Sequence, residues 1–315
     1  MFSFGGVQTV MNDYLMFAIG FVCAGVGGEL FVRGAVGIAH WARVSAGIIG
    51  ATVAAFATSS PEFAVAVNSA LAGEPQISLG DALGSNIANV ALVLGTALVI
   101  SRIHCSRDCV KRDFPVVLVV PIVLGLLLLD GTLSRIDGAF IMGVFLVWLV
   151  AVIIEAMKQR SAVEEVLGES KASLSVVFII VGLVLLIVAG KLIVTGAGNI
   201  ARACGIDEFV IGATIVAIGT SMPELATAVI AKLRGHDEIG LGTILGSNIY
   251  NCLFIVATAS MLCPIEVEWR EAALALIFGF LSVLFVLPSR QNVIGRQRGV
   301  LLLVLYAAYL VAVLQ

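Results

Sequence analysis

Charge is what this chain has least of. Only 12% of its 315 residues are charged, against 60% hydrophobic, and its mean hydropathy is +1.10. One soluble core of this length cannot bury so much apolar surface, so the composition excludes an ordinary soluble domain and leaves the bilayer as solvent. Histidine is scarcer still. His40, His104 and His236 all fall at loop or helix ends, so no hydroxyl in the apolar stretches has an obvious base partner, which argues against an intramembrane serine protease. The first dozen residues lack a basic region, so no cleavable signal is expected and the first apolar segment reads as retained. Six cysteines are scattered, four within or beside apolar segments. Cys105 and Cys109 share a basic loop, and all six read as ordinary reduced thiols. There is no extended polar region that could form a cytosolic regulatory domain.

Apolar runs, by contrast, are abundant. Ten stretches are long enough to span, at approximately 14–38, 44–72, 77–100, 114–130, 136–157, 174–198, 206–232, 239–262, 271–287 and 299–314. The one long polar connector, 158–173, divides them five and five. Because five is odd, the second half enters the membrane with the opposite orientation to the first. The expected fold is therefore an all-α integral membrane protein of ten transmembrane helices. Two inverted five-helix repeats, 1–157 and 174–315, are joined by a cytoplasmic linker at 158–173. With the N-terminus outside, 14 of the 18 basic residues fall in inner loops, as the positive-inside rule requires. Both termini are then outside the cytoplasm.

The halves also repeat in sequence. Residues 49–62 read IGATVAAFATSSPE and residues 211–224 read IGATIVAIGTSMPE; LGDALGSNIAN closes at Asn89 and LGTILGSNIYN at Asn251. The offset is 162 throughout, and about 23 of the 41 aligned positions are identical. Each copy puts an acid, Glu62 or Glu224, inside a stretch built for lipid, where a carboxylate is costly and marks a functional site. Pro61 lacks an N–H and collides with the carbonyl of Ala57, so the second helix is expected to break near Thr58-Ser59-Ser60. Gly219, Thr220, Ser221 and Pro223 repeat the arrangement in the seventh. Freed carbonyls at membrane depth survive only where buried or lining a hydrated cavity. Ser85 and Asn89, and likewise Ser247 and Asn251, are four apart and share a helical face. Gly80, Gly84, Gly242 and Gly246 read as a small-residue stripe for close helix packing. Asn86 and Asn248 point away from that face and read as support for the helix break. At the 162 offset Glu29 matches Lys191, a pair read as interfacial snorkelling.

Every donor in the repeated set is oxygen, with neither His nor Cys, which disfavours zinc, copper and iron and favours hard cations such as calcium or sodium. Two carboxylates neutralise one divalent ion. A loaded centre can therefore change its exposure without net buried charge, whereas the empty acids repel unless monovalent ions or protons replace the calcium. Such mutually exclusive occupancy is the physical basis of antiport.

The paired phrases resemble the α-repeats of the cation/calcium exchanger superfamily, most closely its prokaryotic sodium/calcium exchanger branch, whose signature is G-T-S-x-P-E followed by G-S-N-I-x-N. The resemblance covers both halves. It implies that Glu62 and Glu224 are the principal calcium ligands and that Thr58 and Thr220 add backbone carbonyls. Ser59, Ser85, Ser221 and Ser247, with the carbonyls of Ala55 and Ala217, would complete flanking sodium sites, and Asn89 and Asn251 would close the centre. Two departures are visible. Ala57 replaces the usual first glycine, and Asn251 stands where this branch often carries aspartate, leaving two formal negative charges. The G-N-x-x-E motif usual in the proton-coupled branch is absent, which favours sodium.

The expectation is thus a sodium/calcium antiporter of the prokaryotic cytoplasmic membrane, working by alternating access as the first and sixth helices slide against the other eight. It would be no enzyme and would need no prosthetic group. Its partners would be Ca2+, Na+ and the bilayer, with H+ or K+ as open coupling ions and no nucleic acid. One chain would suffice for transport. A calcium/proton antiporter is the nearest rival, and a cation channel on the same repeat is a further alternative.

Overall fold

The computed structural model describes residues 4–71, 73, 75–107, 109–162, 172–203, 221–267 and 269–313. These residues are almost wholly helical. In chain order the helices are α1 (Phe4–Ala42), α2 (Ala46–Thr58), α3 (Ser60–Leu71), α4 (Pro75–Ile100), α5 (Cys109–Asp130) and α6 (Arg135–Ala162). After the linker come α7 (Ala172–Ala203), α8 (Met222–Leu233), α9 (Asp237–Leu262), α10 (Trp269–Phe285) and α11 (Arg296–Val313). Among the described residues, seven helices are long and apolar enough to cross a bilayer, and the bent pair α2 and α3 makes an eighth if counted as one span. The shorter α10 is apolar over Ala272–Phe285. Of the expected stretch 206–232, residues 206–220 lie outside the described residues, as do 163–171 of the linker. Helix α6 continues past 157 to Ala162, because Lys158 to Ala162 contains no helix breaker.

Helices α4 and α9, the two that carry the G-S-N-I-x-N phrases, form the centre. Their apolar windows are 72% and 94% buried, against 22% for α6 and 17% for α11. The outer helices turn residues such as Val147 (72% exposed) and Leu126 (63% exposed) outward, an apolar surface that only lipid can cover at this extent.

The break in the second helix falls at Ser59, where φ is −85° and ψ is 10°, and α2 and α3 meet there at 46°. Ser221, its counterpart 162 residues on, holds φ −84° and ψ 7°. The same backbone bend thus precedes Pro61 and Pro223, as expected where a proline ring removes a helical donor. Three π-helical stretches accompany the repeated phrases: Gly50–Ala54 in α2, Ala88–Leu94 in α4 and Asn251–Ile255 in α9. Such turns often mark functional sites, because they re-aim the side chains that follow.

Glycine sets the closest helix crossings. A Cβ on Gly242 would lie 2.6 Å from the Gly47 carbonyl, and one on Gly246 2.5 Å from that of Ala51, so α2 and α9 touch backbone to backbone. At Gly80 no described atom lies within 4 Å of such a Cβ, and at Gly84 only Tyr309 Oη does, at 3.9 Å. The packing role read for all four therefore holds for Gly242 and Gly246, and nothing described crowds the other two. Helices α1 and α7 pack along their length, with a Cβ on Gly182 only 2.6 Å from the Phe31 nitrogen. Glu29 does not merely snorkel. It bridges Arg33 at 2.5 Å and Arg234 at 2.8 Å, tying α1 to the end of α8.

Two short antiparallel ribbons close the ends. β1 (Ile103–His104) pairs with β4 (Val293–Ile294), and β2 (Thr132–Leu133) pairs with β3 (Ile265–Glu266). Each ribbon joins one strand from either half. Because β1 precedes α5 and β2 follows it, the ribbons sit at opposite ends of that helix. The contacts of Gly138 and Gly299 correspond in the same way. A Cβ on Gly138 would meet Ala257 O at 3.0 Å and also Ser260 Oγ, while one on Gly299 would meet Gly95 O at 2.7 Å and Leu98 Cβ at 2.8 Å. Residues 95 and 98 are 257 and 260 less 162.

All described cysteines are free thiols. In the loop after α4, burial and the charge of Asp237 push the Cys105 thiol up to about 12, so it stays protonated at ordinary pH.

Candidate cation-binding site

Glu62 lies in the first turn of α3 and Glu224 in the first turn of α8, each just past the serine bend. A helix N-terminus has unsatisfied N–H groups and a positive dipole end, so both positions favour negative charge. Glu62 is 1% exposed and Glu224 is fully buried. Glu224 Oε1 accepts from Ser247 Oγ of α9 at 3.3 Å and from Ser59 Oγ of the first half at 3.4 Å. Thr58 Oγ1 lies 3.4 Å from Ser247 Oγ, which extends the cluster across the boundary between halves. Ser59, whose hydroxyl reaches Glu224, lies only three residues before Glu62 in the chain. The two acids, 162 residues apart in sequence, therefore meet in one buried cluster.

The remaining described residues named from the sequence are buried as well, among them Ser59, Ser85, Asn89, Ser221, Ser247 and Asn251. Glu62 Oε2, Glu224 Oε2, Asn89 Oδ1, Asn251 Oδ1 and Ser221 Oγ have no hydrogen-bond partner among the described residues. Leaving a buried acceptor unmade costs free energy, more so for a charged one. Five such oxygens, all on residues of the repeated phrases, are donors of the type a hard cation takes. Ala55 is buried, but its carbonyl already accepts from Ser59 N at 3.0 Å and Thr58 Oγ1 at 3.4 Å. Thr220 and Ala217 lie outside the described residues.

Two groups, Asp81 and Thr227, escaped the sequence reading, and two more, Asn86 and Asn248, were read for a different role. Asp81 is half-buried in α4, one turn before Ser85. Its signal was plain: a carboxylate within an apolar span. Thr227, one turn after Glu224, has a buried hydroxyl without a described partner; a threonine in an apolar helix gives no such warning. Asn86 and Asn248 carry hydrogen bonds between the halves rather than support at the break. Asn86 Nδ2 donates to Asn248 O at 3.1 Å, and Asn248 Nδ2 returns the bond to Asn86 O at 3.1 Å.

Comparison with known proteins agrees with this architecture. The family described as sodium/calcium exchanger protein matches residues 13–154 and again 174–315. The inner membrane protein YrbG of Escherichia coli is 34% identical over 270 residues, spanning 81% of this chain and 82% of its own. The sodium/calcium exchanger MaX1 of Methanosarcina acetivorans is 26% identical over 345 residues, spanning 95% and 97%. A solved structure of the sodium/calcium exchanger from Methanococcus jannaschii superposes with a TM-score of 0.82 at 33% identity, covering 96% of this chain and 98% of that one. With both halves matched separately and the whole fold reproduced, the chain belongs to the sodium/calcium exchanger family of membrane transporters.

Proposed function

We propose that this chain is a secondary antiporter of a prokaryotic cytoplasmic membrane, exchanging Na+ for Ca2+ by alternating access. The observation that carries the reading is the convergence of Glu62 and Glu224, both buried and both holding a carboxylate oxygen without a described partner. Two carboxylates and the amide oxygens of Asn89 and Asn251 supply a charge of −2, which one calcium ion neutralises. Thr58 and Thr220 add carbonyls to that centre. Sodium ions occupy flanking positions made by Ser59, Ser85, Ser221, Ser247 and the carbonyls of Ala55 and Ala217. Calcium and sodium compete for the same two acids, so one displaces the other.

The ten-helix, inverted-repeat architecture is part of this proposal. Exchanging the two halves exchanges the two ribbons at opposite ends of α5, as a dyad in the membrane plane requires. The matched bends at Ser59 and Ser221 support the same symmetry. Helices α1 and α7 form the pair that slides against the remainder. One chain supplies both halves of the cage, which favours transport by a monomer. The excess of basic residues in alternate loops favours termini outside the cytoplasm.

A calcium/proton antiporter on the same cage is the second reading, because adjacent buried carboxylates also accept protons. Vesicles containing the purified protein and loaded in turn with sodium, potassium or an acidic buffer separate the possibilities. Strong calcium uptake is expected only with an outward sodium gradient. Equal uptake on a pH gradient alone identifies the proton antiporter, and uptake without any counter-ion identifies a channel.

A further inference from the structure

Asn86 and Asn248 stand outside the set of residues named for coordination. Their side chains meet between the halves, where Nδ2 of each donates to the backbone carbonyl of the other at 3.1 Å. A backbone carbonyl can only accept, so it decides which end of each amide faces it. That leaves Oδ1 of Asn86 for Asn251, whose Nδ2 donates to it at 3.1 Å. Likewise Oδ1 of Asn248 receives Nδ2 of Asn89 at 3.1 Å. The four bonds link Asn251, Asn86, Asn248 and Asn89 in that order, a figure that maps onto itself at the 162 offset.

Polarity passes along this figure in one direction. Two main-chain carbonyls orient Asn86 and Asn248; these orient Asn89 and Asn251. The amide oxygens of Asn89 and Asn251 are what remain, buried and without a described partner. An unrestrained amide can turn its NH2 end toward a cation, which repels it. One held by Nδ2 cannot.

We propose that Asn86 and Asn248 are positioning residues for cation binding: they lock Asn89 and Asn251 with their amide oxygens turned into the cage. The inference rests on the reading of the Glu62–Glu224 cluster as the cation site. Its chemistry is that of an outer shell that orients ligands without touching the ion, whose loss typically weakens metal affinity about 10- to 100-fold. A bland alternative is that the figure only glues the halves together, aided by the bond from Asn86 Nδ2 to Cys252 Sγ at 2.8 Å.

The two roles separate in Asn86→Leu and Asn248→Leu, with Asn86→Asp as the conservative change that keeps the acceptor for Asn251. Calcium is titrated against each purified variant, the melting temperature is taken without calcium, and KM and Vmax of calcium uptake are measured separately. Positioning predicts a Kd and a KM for calcium raised about 10- to 100-fold by the leucine variants, with partial recovery in Asn86→Asp. A lowered melting temperature with Kd unchanged to within about twofold means glue only and overturns the inference. Asn86→Ser is smaller than leucine and carries the same expectation should the leucine variant fail to fold. Glu62→Gln serves as the control. If it binds calcium normally, the cage reading itself falls and the inference with it; if it does not bind while Asn86→Leu binds normally, the inference alone falls.

Discussion

Ser59 precedes Glu62 by one turn, yet its hydroxyl donates to Glu224 of the other half, at 3.4 Å. A hydroxyl of the first repeat therefore contacts the acid of the second. Ser247 supplies the second hydroxyl to the same oxygen.

Ser59→Ala removes one of these two donors and one of the oxygens assigned to a flanking sodium position. A hydrogen bond to a charged group contributes about 1.5–3 kcal/mol, which corresponds to roughly tenfold or more in affinity. The sodium KM should rise by that order while the calcium KM changes less. Initial exchange rates at varied sodium and calcium measure both; a larger effect on calcium than on sodium contradicts the assignment.

Asp81 lies half-buried one turn before Ser85 on α4. Its charge attracts a cation approaching Glu62, an effect that ionic strength weakens because the screening length is about 10 Å at 0.1 M salt. Asp81→Asn should raise the calcium KM several-fold in dilute buffer. The difference should shrink as choline chloride is added. A KM ratio independent of salt rules out electrostatic attraction by this residue.

Gly246 and Gly84 occupy equivalent places in the two halves but different surroundings. A methyl group at Gly246 would press on the Ala51 carbonyl at 2.5 Å, whereas at Gly84 the nearest described atom is 3.9 Å away. Overpacking of this kind costs about 1–3 kcal/mol. Gly246→Ala should lower the melting temperature clearly, and Gly84→Ala should leave it nearly unchanged. Equal melting curves remove the backbone contact between α2 and α9 as a stabilising feature.

Much of this candidate site was legible in the residues. An acid in a lipid-compatible stretch is expensive wherever it lies, so Glu62 and Glu224 announce themselves, and Pro61 and Pro223 announce the bends. The exact repeat of Ser85 with Asn89 and Ser247 with Asn251 says which helical face matters. What could not be read is which residue lies opposite. The donation from Ser59 to Glu224, and that from Asn89 to Asn248, depend on how the halves dock, and no spacing within one half encodes it. The π-helical stretches at Ala88–Leu94 and Asn251–Ile255 were hidden for another reason. Periodicity arguments assume 3.6 residues per turn, and nothing in the apolar pattern marks a departure from it.

The most direct measurement is sodium-driven calcium uptake by vesicles containing Glu62→Gln or Glu224→Gln, with calcium-dependent thermal stabilisation of the same purified proteins. Saturating calcium at about 100 times its Kd should stabilise the unaltered protein by about 2.7 kcal/mol. In each variant both the uptake and the calcium-dependent stabilisation should vanish, while the melting temperature without calcium holds or rises because a neutral amide is cheaper to bury. Near-normal uptake in either variant contradicts the claim that these two acids hold the transported ion together.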